Sequence, residues 1–180
     1  MKNIYLAIVA FVLAAASGVA LAAPTAKSFG LNIDLTTPST PLGSPSVFML
    51  EGRYTFSKDM SVLAGIGLQM VDTGQATNNK ATNIGLMGGI RKYLETNDYA
   101  PFFGGRLQYM TTRQGADDVT DFVLMAEFGA EYFLGKQFSL EGSVGAGYTS
   151  RKSEPVAAPG STTATAFGTT TYNLSANYYF

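Results

Sequence analysis

FVLMAEFGAEYFL, residues 122–134, decides how this chain reads. Phe122, Leu124, Ala126, Phe128, Ala130, Tyr132 and Leu134 share one face of an extended segment, while Glu127, Gly129 and Glu131 fall on the other. A period of two puts every second side chain on the same side of a strand, whereas a helix would scatter this set around its circumference. The same alternation recurs outward from this segment. It runs through Phe103, Gly105, Leu107, Tyr109 and Ile84, Leu86, Gly88, Ile90, then Val62, Ala64, Ile66, Leu68, Met70. It continues in Phe48, Leu50, Gly52, Tyr54, Phe56 and in Phe29, Leu31, Ile33, Leu35. Toward the C-terminus it returns in Phe138, Leu140, Gly142, Val144, Ala146, Tyr148 and in Tyr172, Leu174, Ala176, Tyr178, Phe180. Beyond Ala26 no apolar run is long enough for a membrane helix, so the chain is predicted to be all-β.

A weak repeat orders these strands in pairs: LEGRYTF at 50–56, MGGIRKYL at 87–94, EFGAEYFL at 127–134 and LSANYYF at 174–180. Four such endings predict four up-and-down hairpins, and hence an eight-stranded antiparallel barrel. Within hairpins the connections are long and rich in Gly, Pro, Ser and Thr: residues 36–46, 72–81, 112–120 and 151–166. Between hairpins stand only SKDM, ETNDYA and GKQ. Short turns at one rim and long loops at the other are the signature of a transmembrane barrel with its short turns on the periplasmic side.

Which face meets lipid follows from charge. Glu51, Arg53, Arg91, Arg106, Glu127, Glu131 and Glu141 share their face with Gly65, Gly67, Gly85, Gly89, Gly104, Gly129, Gly145 and Gly147. Small residues beside opposite charges suit a narrow lumen, since about eight strands leave an interior just wide enough for side chains to fill. The seven charges are predicted to form one ionic network, with Gln69, Gln108 and Asn173 satisfying the remaining donors and acceptors. The apolar face carries no charge at its centre, where an arginine or lysine facing lipid costs roughly 2–4 kcal/mol. Lys92 interrupts it only near a strand end, where the side chain can snorkel. Tyr54, Phe56, Tyr132, Tyr178 and Phe180 gather at the turn rim, and Tyr109, Phe122 and Tyr148 toward the loops, as the two aromatic girdles of a bilayer-spanning barrel do.

Residues 1–22 read differently. Lys2 is their one charge, Ile4 to Ala16 are mostly apolar, and the segment ends in Ala20-Leu21-Ala22. This predicts a secretory signal peptide with Ala20 and Ala22 as the small residues at the peptidase site, leaving a barrel domain over 23–180. Neither a twin arginine nor a lipobox cysteine is present, so the general secretory pathway is the expected route.

The signal segment, the four hairpins and the terminal LSANYYF together resemble the small outer-membrane β-barrel superfamily that includes OmpA-like transmembrane domains, OmpX and opacity-type surface proteins. The resemblance covers the barrel domain and rests on pattern rather than on a tight motif. It implies a place in the outer membrane of a Gram-negative cell. It also implies a C-terminal insertion signal formed by Tyr172, Leu174, Ala176, Tyr178 and Phe180, read by the barrel-assembly machinery. In physical terms such a strand offers an edge for β-augmentation, with alternate side chains supplying specificity.

Composition bounds the function. With no His and no Cys in 180 residues, Ser-His and Cys-His pairs, His-ligated zinc and thiolate chemistry are excluded. Barrel enzymes of outer membranes lean on histidine, so no enzymatic activity is expected. Glu127 and Glu131 imitate a catalytic carboxylate pair, but Arg53, Arg91 and Arg106 make ion pairing the stronger reading. Asp117, Asp118 and Asp121 lack the defined spacing of a divalent-cation site, and no metal or cofactor is expected. A net charge of −1 offers nucleic acid no basic patch. The expected partners are the lipid bilayer and lipopolysaccharide, the secretion and barrel-assembly machinery, and a surface ligand met through the long loops. A structural or surface-interaction role in adhesion or envelope integrity is the preferred expectation, and a narrow porin-like channel the alternative.

Overall fold

The computed structural model describes residues 28–35, 42, 49–72, 80–114, 117–154 and 160–180. The predicted signal segment with Ala20 and Ala22 lies outside them, as does nearly all of the first long connection. Eight strands follow in order: β1 Ser28–Asp34, β2 Met49–Thr55, β3 Met60–Asp72, β4 Lys80–Tyr93, β5 Tyr99–Gln114, β6 Asp117–Phe133, β7 Phe138–Glu154 and β8 Thr162–Tyr179. Each pairs antiparallel with its neighbours in sequence, and β1 closes on β8. The predicted up-and-down barrel of eight strands is thus observed. No helix among the described residues is long and apolar enough to cross a membrane; the strands do the crossing.

Alternation places the faces as predicted. Leu50, Tyr54, Ile66, Leu86, Leu124, Phe128 and Tyr132 are exposed on the outer wall, while Glu51, Arg53, Arg91, Glu127 and Glu131 are buried inside. Both sets of girdle aromatics stand on the outer wall. Lys92 is half-exposed at the turn rim, 3.8 Å from Asp59.

The loop side departs from expectation. The fourth connection, predicted over 151–166, shrinks to 155–161 because β7 runs on to Glu154 and β8 begins at Thr162. The third shrinks to residues 115–116. Thr and Ser signal loops when clustered, but Thr is also a strong strand former, and in 162–171 the second preference wins. Strands of 16 to 18 residues in β5 to β8 exceed the 9–11 that cross a bilayer, so their loop-side ends stand clear of it.

The ladder between β7 and β8 shifts register between Ser143 and Gly145: Ser143 pairs with Asn173 but Gly145 with Thr170. β8 carries the extra residue, and its faces exchange there. Leu174 and Tyr178 point outward below the shift, Phe167 above it. Tyr172, predicted as part of the insertion signal, contributes its backbone to this irregular stretch.

Candidate functional site

The lumen is filled in layers. At the turn end an aromatic floor of Tyr93, Phe102, Phe133 and Tyr179 packs with Ala100, all at most 3% exposed. Tyr93 and Phe102 meet edge to face at 6.0 Å, and Phe133 lies 5.8 Å from Tyr179. None of these four was singled out from the sequence as interior. The signal was present: in the doublets Phe102-Phe103, Tyr132-Phe133 and Tyr178-Tyr179 a strand must turn one aromatic inward for each one it turns out.

Above the floor sit the seven charges, brought together as the sequence predicted. Arg53 reaches Glu131 at 3.0 Å, Glu141 at 2.8 Å and Glu51 at 3.4 Å. Arg91 donates to both oxygens of Glu141, at 2.7 and 2.8 Å, and to Glu127 at 3.0 Å. Its guanidinium carbon lies 3.6 Å over the Phe102 ring, so the aromatic floor also faces a cation. Arg106 lies 3.0 Å from Glu51, 2.7 Å from Glu127 and 3.9 Å from Glu141. Six strands, β2 and β4 to β7 with β8 through its polar side chains, are thereby tied across the lumen rather than only along the ladder.

The groups that complete this network differ from those predicted. Glu131 accepts from Tyr93 Oη at 2.7 Å, from Tyr179 Oη at 2.6 Å, from Asn177 Nδ2 at 3.0 Å and from Ser139 Oγ. Asn177 also reaches Glu141 at 3.3 Å, and its Oδ1 accepts from Asn32 Nδ2 at 2.6 Å. Tyr hydroxyls, Ser139 and Asn177 therefore take the role expected of Gln69, Gln108 and Asn173. Two of the latter serve a separate polar layer toward the loops: Asn83 donates to Gln69 at 3.0 Å, and Asn173 to Asp34 at 2.9 Å.

Between the Gln69–Asn83 pair and the charges lies an apolar cluster of Met49, Leu63, Met87, Met110 and Val123. Next to it a cavity of about 30 Å³ is bounded by Asp34, Arg106, Gln108, Glu127 and Asn173, together with Met49, Met87 and Met125. At the mouth Arg151 clasps Asp121 at 2.8 and 3.1 Å and donates to the Leu42 carbonyl at 3.1 Å. Asp118 instead pairs with Arg113, at 2.9 and 3.2 Å. The three aspartates considered for a cation are thus split between the inner and outer wall, and no cluster of His, Cys, Asp and Glu able to hold a metal occurs among the described residues.

Buried charges without compensation would cost several kcal/mol each. Here Arg53, Arg91 and Arg106 each have at least two carboxylates in reach, so the chemistry of the site is closure: it cross-links the wall and occupies the bore. The C-terminal residues close the seam. Phe180 N donates to the Phe29 carbonyl at 2.9 Å, and the Phe180 ring lies 6.1 Å from Phe29 and 5.1 Å from Tyr178.

Comparison with known proteins bears on the barrel fold and its family. Residues 7–180 match the family described as outer membrane protein beta-barrel domain. Among solved structures, the outer membrane protein AlkL, determined by solid-state NMR in lipid bilayers, superposes with a TM-score of 0.54 at 13% identity, over 91% of this chain and 94% of that one. A major outer membrane protein from Thermus thermophilus aligns over 85% of this chain and 98% of its own, at 15% identity and a TM-score of 0.47. No curated protein matches the sequence.

Proposed function

The chain belongs to the outer membrane protein beta-barrel domain family, and from that premise we propose that it is a closed, non-enzymatic barrel that presents its loop-side hairpins at the surface of a Gram-negative cell, in adhesion or envelope integrity. One observation carries this reading. The bore is occupied by an aromatic floor, seven compensated charges and a methionine-rich cluster, leaving an interior cavity of about 30 Å³. Such a barrel supports hairpins rigidly, and β5 to β8 extend well past the aromatic girdle on that side.

The same reading has the chain exported by the general secretory route, with Phe180 and the alternate positions before it read by the barrel-assembly machinery. Its outer wall is then solvated by phospholipid on one side and lipopolysaccharide on the other. The test is single-channel conductance of refolded protein in planar bilayers. A closed barrel shows no steady current above the lipid baseline. Large, steady conductance would replace this reading with that of a small-solute channel.

A further inference from the structure

The cavity beside the ionic network has walls that select its occupant. Arg106 is 95% buried, and its Nη2 has no hydrogen-bond partner, the Glu141 oxygen at 3.9 Å being too far. That donor calls for an acceptor. Asp34 and Glu127 on the same walls exclude an anion, Arg106 itself disfavours a cation, and the six polar residues of the lining, Ser143 among them, disfavour an apolar guest. What remains is a small neutral molecule that accepts and donates at once. A water needs about 10–15 Å³ and two to four polar partners, and a cavity of about 30 Å³ provides both.

We propose that this cavity binds one buried water, which accepts from Arg106 Nη2 and donates to the Asp34 carboxylate. The inference rests on the closed-lumen reading and goes beyond it by giving the water a mechanical role. Among the described residues strand β1 is seven residues long, and its ladder to β8 holds five residue pairs, against sixteen between β5 and β6. Asp34 is its last residue, and Asn173 on β8 donates to it at 2.9 Å. Through the water, the end of the weakest seam is fastened across the lumen to Arg106 on β5, which the ladder alone cannot reach.

The experiment is water–protein nuclear Overhauser spectroscopy on ¹⁵N-labelled refolded barrel, with hydrogen exchange at the amides of Ile33 and Leu35, which face β8. A slowly exchanging water is expected at the Arg106 guanidinium and the Gln108 side-chain amide. Arg106→Lys, which keeps the charge but withdraws Nη2, should abolish those cross-peaks. It should also speed exchange at Ile33 and Leu35 about tenfold, the loss of one charge-assisted hydrogen bond. Should Arg106→Lys fail to fold, Asp34→Leu tests the cross-peaks alone, because it also removes the Asn173 hydrogen bond and so moves exchange at β1 by itself. Absence of the cross-peaks in the wild type, or exchange at β1 unchanged in a folded variant, overturns the water staple while the barrel remains non-conducting. Fast-exchanging water along the whole lumen, together with conductance, overturns the closed barrel as well.

Discussion

The two halves of the lumen are closed by different chemistry. Toward the turns, charges and aromatic rings interlock: Glu131 is held by donors from β2, β4, β7 and β8, and the rings beneath leave almost no exposure. Toward the loops, unbranched methionines lie across glycines of other strands, Met49 and Met110 against Gly85 and Met87 against Gly65. An ionic network has one geometry that satisfies it, whereas thioether side chains fill whatever space they are given. The turn-side half should therefore be brittle and specific, and the loop-side half adaptable. Rigidity sits where the hairpins are anchored, and tolerance sits where they emerge from the membrane.

The sharpest way to break that contrast is to remove one cation. Arg91→Ala leaves Glu141 and Glu127 each short of a partner at 3.0 Å or less. Because these groups are at most 3% exposed, the loss should be about 3–5 kcal/mol in urea unfolding from lipid vesicles. Met87→Leu in the loop-side cluster keeps volume and polarity, and should cost less than about 1.5 kcal/mol by the same assay. Comparable losses would mean that the two halves do not differ as described.

Two glycines sharpen it further. A Cβ at Gly129 would meet the Gly142 carbonyl at 2.5 Å, the Phe102 ring at 2.6 Å and the Ser143 Cβ at 2.8 Å, none of which can move without disturbing the ladder or the floor. At Gly85 the close contact, 2.6 Å, is with the terminal methyl of Met49, which can rotate away. Gly129→Ala should thus destabilise by about 1–3 kcal/mol, and Gly85→Ala by well under 1 kcal/mol. Vesicle unfolding midpoints check both; equal shifts would show the methionines to be as tightly packed as the rings.

The parts of this molecule that were legible in its sequence are those that depend on strand alternation. Glu51, Arg53, Arg91, Arg106, Glu127, Glu131 and Glu141 could be placed inside because a period of two leaves a residue no other side once its neighbours face lipid. Who partners whom was not legible, since that depends on how far each strand is offset from the next around the barrel. Hence nothing in the sequence marks Tyr93, Tyr179, Ser139 and Asn177 as partners of Glu131 and Glu141. The extra residue in β8 left no local mark either: the run of Thr around it reads equally as loop or strand, so the exchange of faces between Phe167 and Leu174 appears only in the register.

The smallest effect lies where neither half reaches, on the outer wall beyond the girdle. Asp118 and Glu154 stand opposite one another in the ladder between β6 and β7, an arrangement of like charges that is unfavourable by itself. Arg113 and Lys152 offset it, the latter 2.5 Å from Glu154. The hydrogen bond from Arg113 holds the Asp118 carboxyl below its ordinary value. A carboxyl whose folded value is lowered lends its stabilisation above the unfolded value of about 4, and withdraws it as pH falls through the folded one. Titration of ¹³C-labelled Asp118 should therefore place its midpoint below about 4, and Arg113→Gln should return it to the usual range while the unfolding midpoint stays where it was. Because the pair is exposed, 1 M salt should shrink the shift in the wild type. A wild-type midpoint at the ordinary value would mean that the like charges across the ladder are left uncompensated, and that the hairpin above the girdle is held by its backbone alone.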